Sequence, residues 1–314
     1  MPSLKAIRKR ISSTKATQKI TRAMKMVAGA RLTRAQQRIV AMRPYAVKTA
    51  EVLQSVAGTM AAETDSKDES GHPLLARRPE KKALILVFSA DRGLCGALNT
   101  NVNKAAERVW REKQAAGVEV AFATVGRKGR EYLIRRGANV VCDFPRIYDA
   151  VDLDKARLVA SWLAPRFERH EFDSAYFVYT EFKSAILQKL VMERLLPVSE
   201  PTDPVVGGLT APVPRSEDGP GGGATVAPTE FLYEPDQRAL LERLVPMYVE
   251  ISIYRALLES QASFFGAQMT AMDAATRNAK DMIARYTLIY NRARQAAITK
   301  ELMEIIGGAE ALKV

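Results

Sequence analysis

The stretch 83–101, ALILVFSADRGLCGALNTN, decides how the middle of the chain folds. Six apolar residues run from Ala83 to Phe88 into Ser89, a polar turn with Gly93 and Gly96 follows, and then come residues suited to a helix start. Strand, glycine turn and helix N-terminus in that order is how phosphate-cradling loops are built. The residues that would hold the phosphate are missing. A Walker-type loop needs G-x-x-x-x-G-K-[ST], whose lysine neutralises the outer phosphates and whose hydroxyl holds magnesium. Here the glycines are three residues apart, Ala97 follows the second, and the next lysine is Lys104. A G-x-G-x-x-G dinucleotide fingerprint fails as well, because no third glycine stands at the required spacing. The turn has the geometry of a nucleotide cradle without its ligands, with Gly93 and Gly96 expected to allow a tight bend.

Outward from this stretch, strand and helix patterns alternate to about residue 200. Strands are expected over 83–89, 118–125, 139–144 and 174–180, with amphipathic helices over 97–115, 127–136 and 152–169. Such alternation predicts a small, largely parallel α/β sheet. Residues 181–200 fit either a further strand or a loop. Asp149, Asp152 and Asp154 resemble a calcium loop at a glance, but the turn glycine and closing glutamate are absent, and helix N-capping by Asp152 explains the cluster better.

Both ends read as long helices. Residues 3–60 contain no proline before Pro44, where a kink or a short irregular join is expected. Their apolar stripe is Leu4, Ile7, Ile11, then Ile20, Met24, Ala28, Leu32, Ala35, Ile39 and Met42. From about Asp236 to Leu312 a helical pattern would extend for about 115 Å, several times the diameter of a small domain. Its heptad seam reads Met272, Ala275, Ala279, Met282, Tyr286, Ile289, Ala293 and Ala296. A central domain of about 120 residues is too small to cover either helix along its length. The two termini are therefore expected to pair with each other as an antiparallel coiled coil. Residues 62–82 read as a polar connection. The segment 202–229, with six glycines and five prolines in 28 positions, sustains neither regular period and reads as a flexible surface excursion.

Charge and composition narrow the function classes. The net charge of +12 lies in one segment: residues 1–50 hold thirteen Lys or Arg and no Asp or Glu, whereas the remainder holds 34 basic and 35 acidic side chains. That segment calls for an acidic partner surface. Its charges spread around the helix, and no aromatic precedes Tyr45 to stack on bases. A basic rod binding nucleic acid is the alternative to an acidic protein collar. No apolar run reaches the roughly 18–20 residues of a membrane span, and no apolar core follows the first basic residues as a secretory signal would require. Cys95 and Cys142 form no CxxC and the chain has two histidines, so a disulfide scaffold or zinc site is not expected. Two reduced thiols in a cytosolic chain fit better. His72 and His170 read as surface or packing residues. No G-x-S-x-G, H-E-x-x-H or Ser/His/Asp pattern stands in the sequence, so no catalytic constellation is expected.

Four motifs converge on one family. MPSLKAIRKRISSTKATQKITRAMKMVAGAR at the start, SADRGLCGALNTN in the middle, FLYEPD at 231–236 and YNRARQAAITKELMEIIGGAEAL at the end closely resemble the gamma subunit of bacterial F-type ATP synthases. The resemblance covers nearly the whole chain in order. The 202–229 stretch is longer than the family usually carries, and the dithiol insertion of chloroplast members is not visible.

The resemblance implies an antiparallel coiled coil of the two termini (1–60 and 230–314), a linker (61–82) and a Rossmann-like α/β domain (83–201) that binds no nucleotide, with 202–229 as a loop. It implies a non-catalytic central-stalk rotor without cofactor, one copy per complex. The partners are a ring of alpha and beta subunits, the epsilon subunit and the c-ring, through which membrane association is indirect. The expected location is peripheral, on the cytoplasmic side of the bacterial inner membrane, with no nucleic acid bound. Matched residue by residue, Met24, Lys25, Arg294, Gln295 and Thr299 would face beta, while Tyr233 and Glu234 would belong to the foot near the c-ring and epsilon. The glycine turn would face the beta ring as a protein contact. The near-uncharged tip, LMEIIGGAEALKV, would sit in an apolar sleeve.

Overall fold

The computed structural model describes residues 3–63, 72–198 and 237–311. The 202–229 segment, Tyr233 and Glu234 lie outside the described residues. In chain order the elements are α1 (Leu4–Glu63), β1 (Lys82–Phe88), α2 (Leu98–Ala115), β2 (Glu119–Val125), α3 (Arg127–Arg135), β3 (Val140–Phe144), α4 (Leu153–Glu168), β4 (Ser174–Phe182), β5 (Gln188–Leu196) and α5 (Gln237–Ala311). They form two compact units, one of Leu32–Ala267 and one of Met1–Arg31 with Gln268–Val314.

The larger unit is built on one sheet of order β3-β2-β1-β4-β5. β1 pairs in parallel with β2 and β4, β2 with β3, and β5 closes the far edge antiparallel to β4. The parallel strands demand crossovers, which α2, α3 and α4 supply. β1 is central, so both of its faces are covered. Every residue from Ala83 to Phe88 is at most 1% exposed, which is why this run is continuously apolar rather than alternating. On one face Ile85, Val87 and Phe122 pack with Val102, Ala106, Val109 and Leu133 of α2 and α3. Burying each such side chain contributes roughly 2 kcal/mol. Edge-on aromatic pairs, Phe88 with Phe177 at 5.1 Å and Trp110 with Phe122 at 5.7 Å, fix the rings against sliding.

Polar anchors tie the elements together. Glu80 accepts from Lys113 of α2 at 2.6 Å and from Ser174 of β4 at 2.5 Å. Burial opposes its ionisation, yet these bonds and the Lys113 charge hold its carboxyl below the usual range. Asp152 caps α4, accepting from Lys155 N at 2.9 Å as the sequence predicts. The ambiguous 181–200 segment resolves as the hairpin turn and β5, pairing Phe182 with Gln188 through Ala175 with Leu196. His72 is a packing residue, 6% exposed, whose Nδ1 accepts from Leu74 N at 3.1 Å. His170 is exposed at the surface.

α1 runs through Pro44 without a break, which excludes the irregular join expected there. Proline in a helix interior costs roughly 3 kcal/mol. Buried Met42, Ala46 and Thr49, on the stripe flanking the exposed Pro44, hold the helix across that site.

In the smaller unit the first part of α1 and the last part of α5 pair antiparallel. A Cβ at Gly29 would meet Met269 Sδ at 3.6 Å, Lys25 Nζ lies 2.5 Å from Asp273 Oδ1, and the Thr276 hydroxyl lies 2.8 Å from that of Thr21. As the number falls on α1 it rises on α5, which defines the antiparallel register.

The stripe of α1 that faces inward differs from the expected one. Leu4, Ile7, Ile11, Thr14, Gln18, Thr21, Lys25 and Ala28 are buried or half-buried, in strict steps of three and four. Ile20, taken from the sequence as a seam residue, is 59% exposed. Polar side chains occupy the middle of the seam, so a search for apolar residues steps off it there. On α5 Met272 and Ala279 are buried, and Ala275, Thr276, Ile283, Tyr286, Tyr290, Ala293 and Ala297 are half-buried. The expected Met282, Ile289 and Ala296 are exposed. Each has an apolar neighbour one residue on, and that neighbour is the one covered, so the apolar pattern fits two seams equally.

Candidate functional site

The glycine turn is closed by its own side chains. Asn99, in the first turn of α2, accepts from Ala90 N at 2.9 Å and donates to Arg92 O at 3.2 Å and Cys95 Sγ at 3.3 Å. Its carboxamide thereby ties the two sides of the turn to the start of α2. Asp91 ties the start of the turn to the next loop instead, its carboxylate accepting from Arg127 N at the N-terminus of α3 at 3.0 Å. The tight bend is real but differs in detail: positive φ occurs at Leu94 (64°) and Gly96 (59°), not at Gly93. Leu94 is 61% exposed at the tip of this turn. Cys95 is buried and both cysteines are free, with burial pushing the two thiols up.

Ser89 joins the ends of β1 and β2 to α3. Its Oγ accepts from Gly129 N at 2.7 Å and donates to the carbonyl of Gly126 at 3.1 Å. Gly126 has φ +94°, and a Cβ there would lie 2.0 Å from Ser89 O, so only glycine fits.

The residues expected to face a partner lie on the coiled-coil unit. Met24 is half-buried, and Lys25 is engaged within the chain by Asp273, which also approaches Arg277 at 3.4 Å. The Lys25 bond and charge hold the Asp273 carboxyl below its usual range. Arg294, Gln295 and Thr299 are exposed on α5, Gln295 and Thr299 one turn apart. Asp273 and Arg294 are 21 residues apart on one helix, so these groups sit about 30 Å apart along it and do not converge. They define two stations on a long surface, and no single pocket.

That surface carries exposed apolar residues, at the tip as the sequence suggests and also on the basic helix. Ile20, Met26 and Val27 are 51–63% exposed on the basic helix, and Leu302, Met303, Ile305 and Ile306 are 49–70% exposed near the end of α5. Exposed apolar residues concentrated this way mark a surface that another molecule covers. The signal for the α5 group was the shortage of charge after Glu304. Met26 and Val27 carried no signal, because lysine and arginine surround them. Among the described residues no helix is long and apolar enough to cross a membrane, and no group of His, Cys, Asp and Glu is arranged to hold a metal.

A doubly wound α/β sheet and an antiparallel coiled coil formed by the two ends of the same chain together define a long-helix α/β scaffold. Comparison with known proteins agrees. The family model described as ATP synthase matches residues 3–312. The ATP synthase gamma chain of Sorangium cellulosum (strain So ce56) is 55% identical, covering all of both chains, and that of Geobacter sp. (strain M21) is 44% identical, again covering all of both. Two solved structures share the fold. One is a chain from the central stalk and c-ring structure of the Tetrahymena thermophila mitochondrial ATP synthase, with TM-score 0.59 and 20% identity, covering 82% of this chain and 99% of that one. The other is a chain from the rotor of the Euglena gracilis mitochondrial ATP synthase, with TM-score 0.60 and 16% identity, covering 94% and 98%. The chain belongs to the ATP synthase gamma-chain family. The nucleic-acid alternative has no support among these relatives.

Proposed function

We propose that this chain is the central rotor shaft of an F-type ATP synthase, coupling ion-driven rotation of a membrane c-ring to ATP synthesis and hydrolysis in a ring of alpha and beta subunits. The observation that carries this reading is the group of exposed apolar side chains Leu302, Met303, Ile305 and Ile306 near the end of α5, 49–70% exposed. An apolar tip offers few directional bonds, so a surrounding sleeve can cover it without holding it at one angle. The basic α1 suits an acidic collar, since opposite charge steers and holds the two surfaces while like charge would repel.

The chain itself is non-catalytic in this reading. The partners hold the chemistry, and the asymmetric shaft favours one beta conformation over another as it turns. Arg294, Gln295 and Thr299 contact beta in some rotary positions and release it in others. Met24 and Lys25 form the second station, with Lys25 exchanging its Asp273 partner for a beta group. Tyr233 and Glu234 belong to the foot, with the epsilon subunit and c-ring. The complex holds one copy, attached indirectly to the cytoplasmic face of the inner membrane.

Co-expression of a tagged copy with cognate alpha and beta subunits tests the assembly. The tag is expected to recover a hexamer with one copy of this chain. Recovery of the chain alone, or bound to duplex DNA in a salt-dependent way, would contradict it.

A further inference from the structure

In a doubly wound sheet the ligand crevice lies beyond the carboxyl ends of the strands, where the strand order reverses. Here the chain proceeds from β1 to β2 and β3 on one side and then crosses to β4 on the other, so the reversal lies between β1 and β4. That crevice is filled by the chain's own α5. Residues Glu259, Ser260, Gln261 and Ser263 of this helix are all polar and at most 6% exposed, at positions where a core helix would carry leucine or alanine. Three of them bond groups that border the crevice. Glu259 accepts from Phe182 N at 2.8 Å, Ser263 donates to Thr180 O at 3.0 Å, and Gln261 donates to Tyr148 O at 3.2 Å. Gly266 lets the helix approach the β4–β5 turn, since a Cβ there would meet Phe182 Cε2 at 3.3 Å and Ala185 Cα at 3.4 Å. What remains of the crevice is a void of about 10 Å³ bordered by Ser89, Tyr148, Thr180 and Ser260, room for about one water.

We infer that the vestigial ligand crevice is a socket for α5, and that its hydrogen bonds are the joint through which torque passes between the α/β unit and the shaft helix. This inference rests on the rotor reading. The physical basis is a contrast between two kinds of contact. Apolar burial holds a helix by non-directional packing, whereas hydrogen bonds also fix its orientation because they weaken steeply with angle. Three such bonds from one and a half turns of α5 to the end of β4 and the nearby Tyr148 backbone lock both rotation and translation. Phe182 N and Thr180 O are backbone groups at the end of the strand, which cannot follow a slipping helix without leaving the sheet. α5 is helical from Gln237 to Ala311, and the socket grips it at residues 259–266.

The test uses the whole ATP synthase in sealed vesicles, comparing Glu259→Ala/Ser263→Ala with Glu259→Gln, whose carboxamide oxygen still accepts from Phe182 N. The double variant is expected to hydrolyse ATP at the wild-type rate while moving several-fold fewer protons per ATP against an imposed gradient, and Glu259→Gln is expected to restore the ratio. Hydrogen exchange at the Phe182 amide should rise roughly fivefold or more in the double variant, the factor that loss of one bond of about 1 kcal/mol gives. If the double variant does not assemble, Glu259→Ala against Glu259→Gln supplies the same comparison. A pumping ratio and Phe182 exchange equal to wild type in the alanine variants would overturn the joint. Wild-type chain that supports hydrolysis without any pumping would instead overturn the rotor reading, so the two failures are distinct.

Discussion

Gly126→Ala is expected to unfold the α/β unit under conditions where the wild-type chain is stable. The residue has φ +94°, and an added Cβ would lie 2.0 Å from Ser89 O and 2.8 Å from Ser89 C. Both obstacles are backbone, so no rotamer change relieves them. Ser89 cannot retreat either: its N–H bonds Val125 O at 2.8 Å, and its Oγ accepts from Gly129 N at 2.7 Å. Movement of Ser89 therefore breaks the β1–β2 ladder and the start of α3 together. Strain of about 1–3 kcal/mol at the backbone, plus about 1 kcal/mol for each bond lost, brings the cost to about 4 kcal/mol or more. That is a large share of the roughly 5–15 kcal/mol that stabilises an ordinary domain. Gly117→Ala is the control, because Gly117 also has positive φ (+76°) but meets nothing within 4 Å of an added Cβ. It should cost only about 1–2 kcal/mol. Urea denaturation of both variants checks this, and equal losses would contradict the role given to Ser89.

The second large effect falls on coupling. Replacing Arg294 and Gln295 by alanine is expected to lower ATP synthesis about tenfold in reconstituted vesicles, the factor for losing one charge-assisted hydrogen bond of about 1.5 kcal/mol. Both side chains are exposed, so thermal stability of the chain should stay within about 0.5 kcal/mol of wild type. Parallel loss of stability and synthesis would make these residues structural. The double substitution also separates the two stations, because Lys25 is already paired with Asp273 while Arg294 and Gln295 face outward. Replacing Lys25 should disturb the coil seam as well as any partner contact.

The sheet was legible in the sequence because burial on both faces leaves an unmistakable trace. ALILVF is apolar throughout, and the structure leaves it almost wholly inaccessible. β5 was harder, since a half-exposed edge strand such as Gln188–Leu196 mixes polar and apolar residues without clean alternation. The coil was legible in its existence and misread in its seam. Thr14, Gln18, Thr21 and Lys25 sit inward and carry no apolar signal, while Met282/Ile283 and Ile289/Tyr290 offer apolar residues at two adjacent positions. Packing chose between them, and packing is not local information. The same limit hid the socket. Glu259, Ser260, Gln261 and Ser263 look like a solvent-facing stretch until the end of β4 is seen against them. Conversely, the missing lysine and hydroxyl of a Walker-type loop were readable in the glycine turn, and the structure adds how the turn is tied: Asn99 bonds Ala90 N and Arg92 O across it.

The central claim is that this chain turns inside a ring of its partners. With the free, half-buried Cys142 replaced by serine, a cysteine placed at Ile186, 86% exposed on the β4–β5 turn, offers an attachment point for a probe, since Cys95 is buried. With the alpha and beta ring fixed to a surface and a bead on that cysteine, ATP is expected to drive continuous rotation in one direction, in three dwells per turn for three catalytic sites. Steady ATP hydrolysis with the bead motionless, or jittering without net direction, would contradict it.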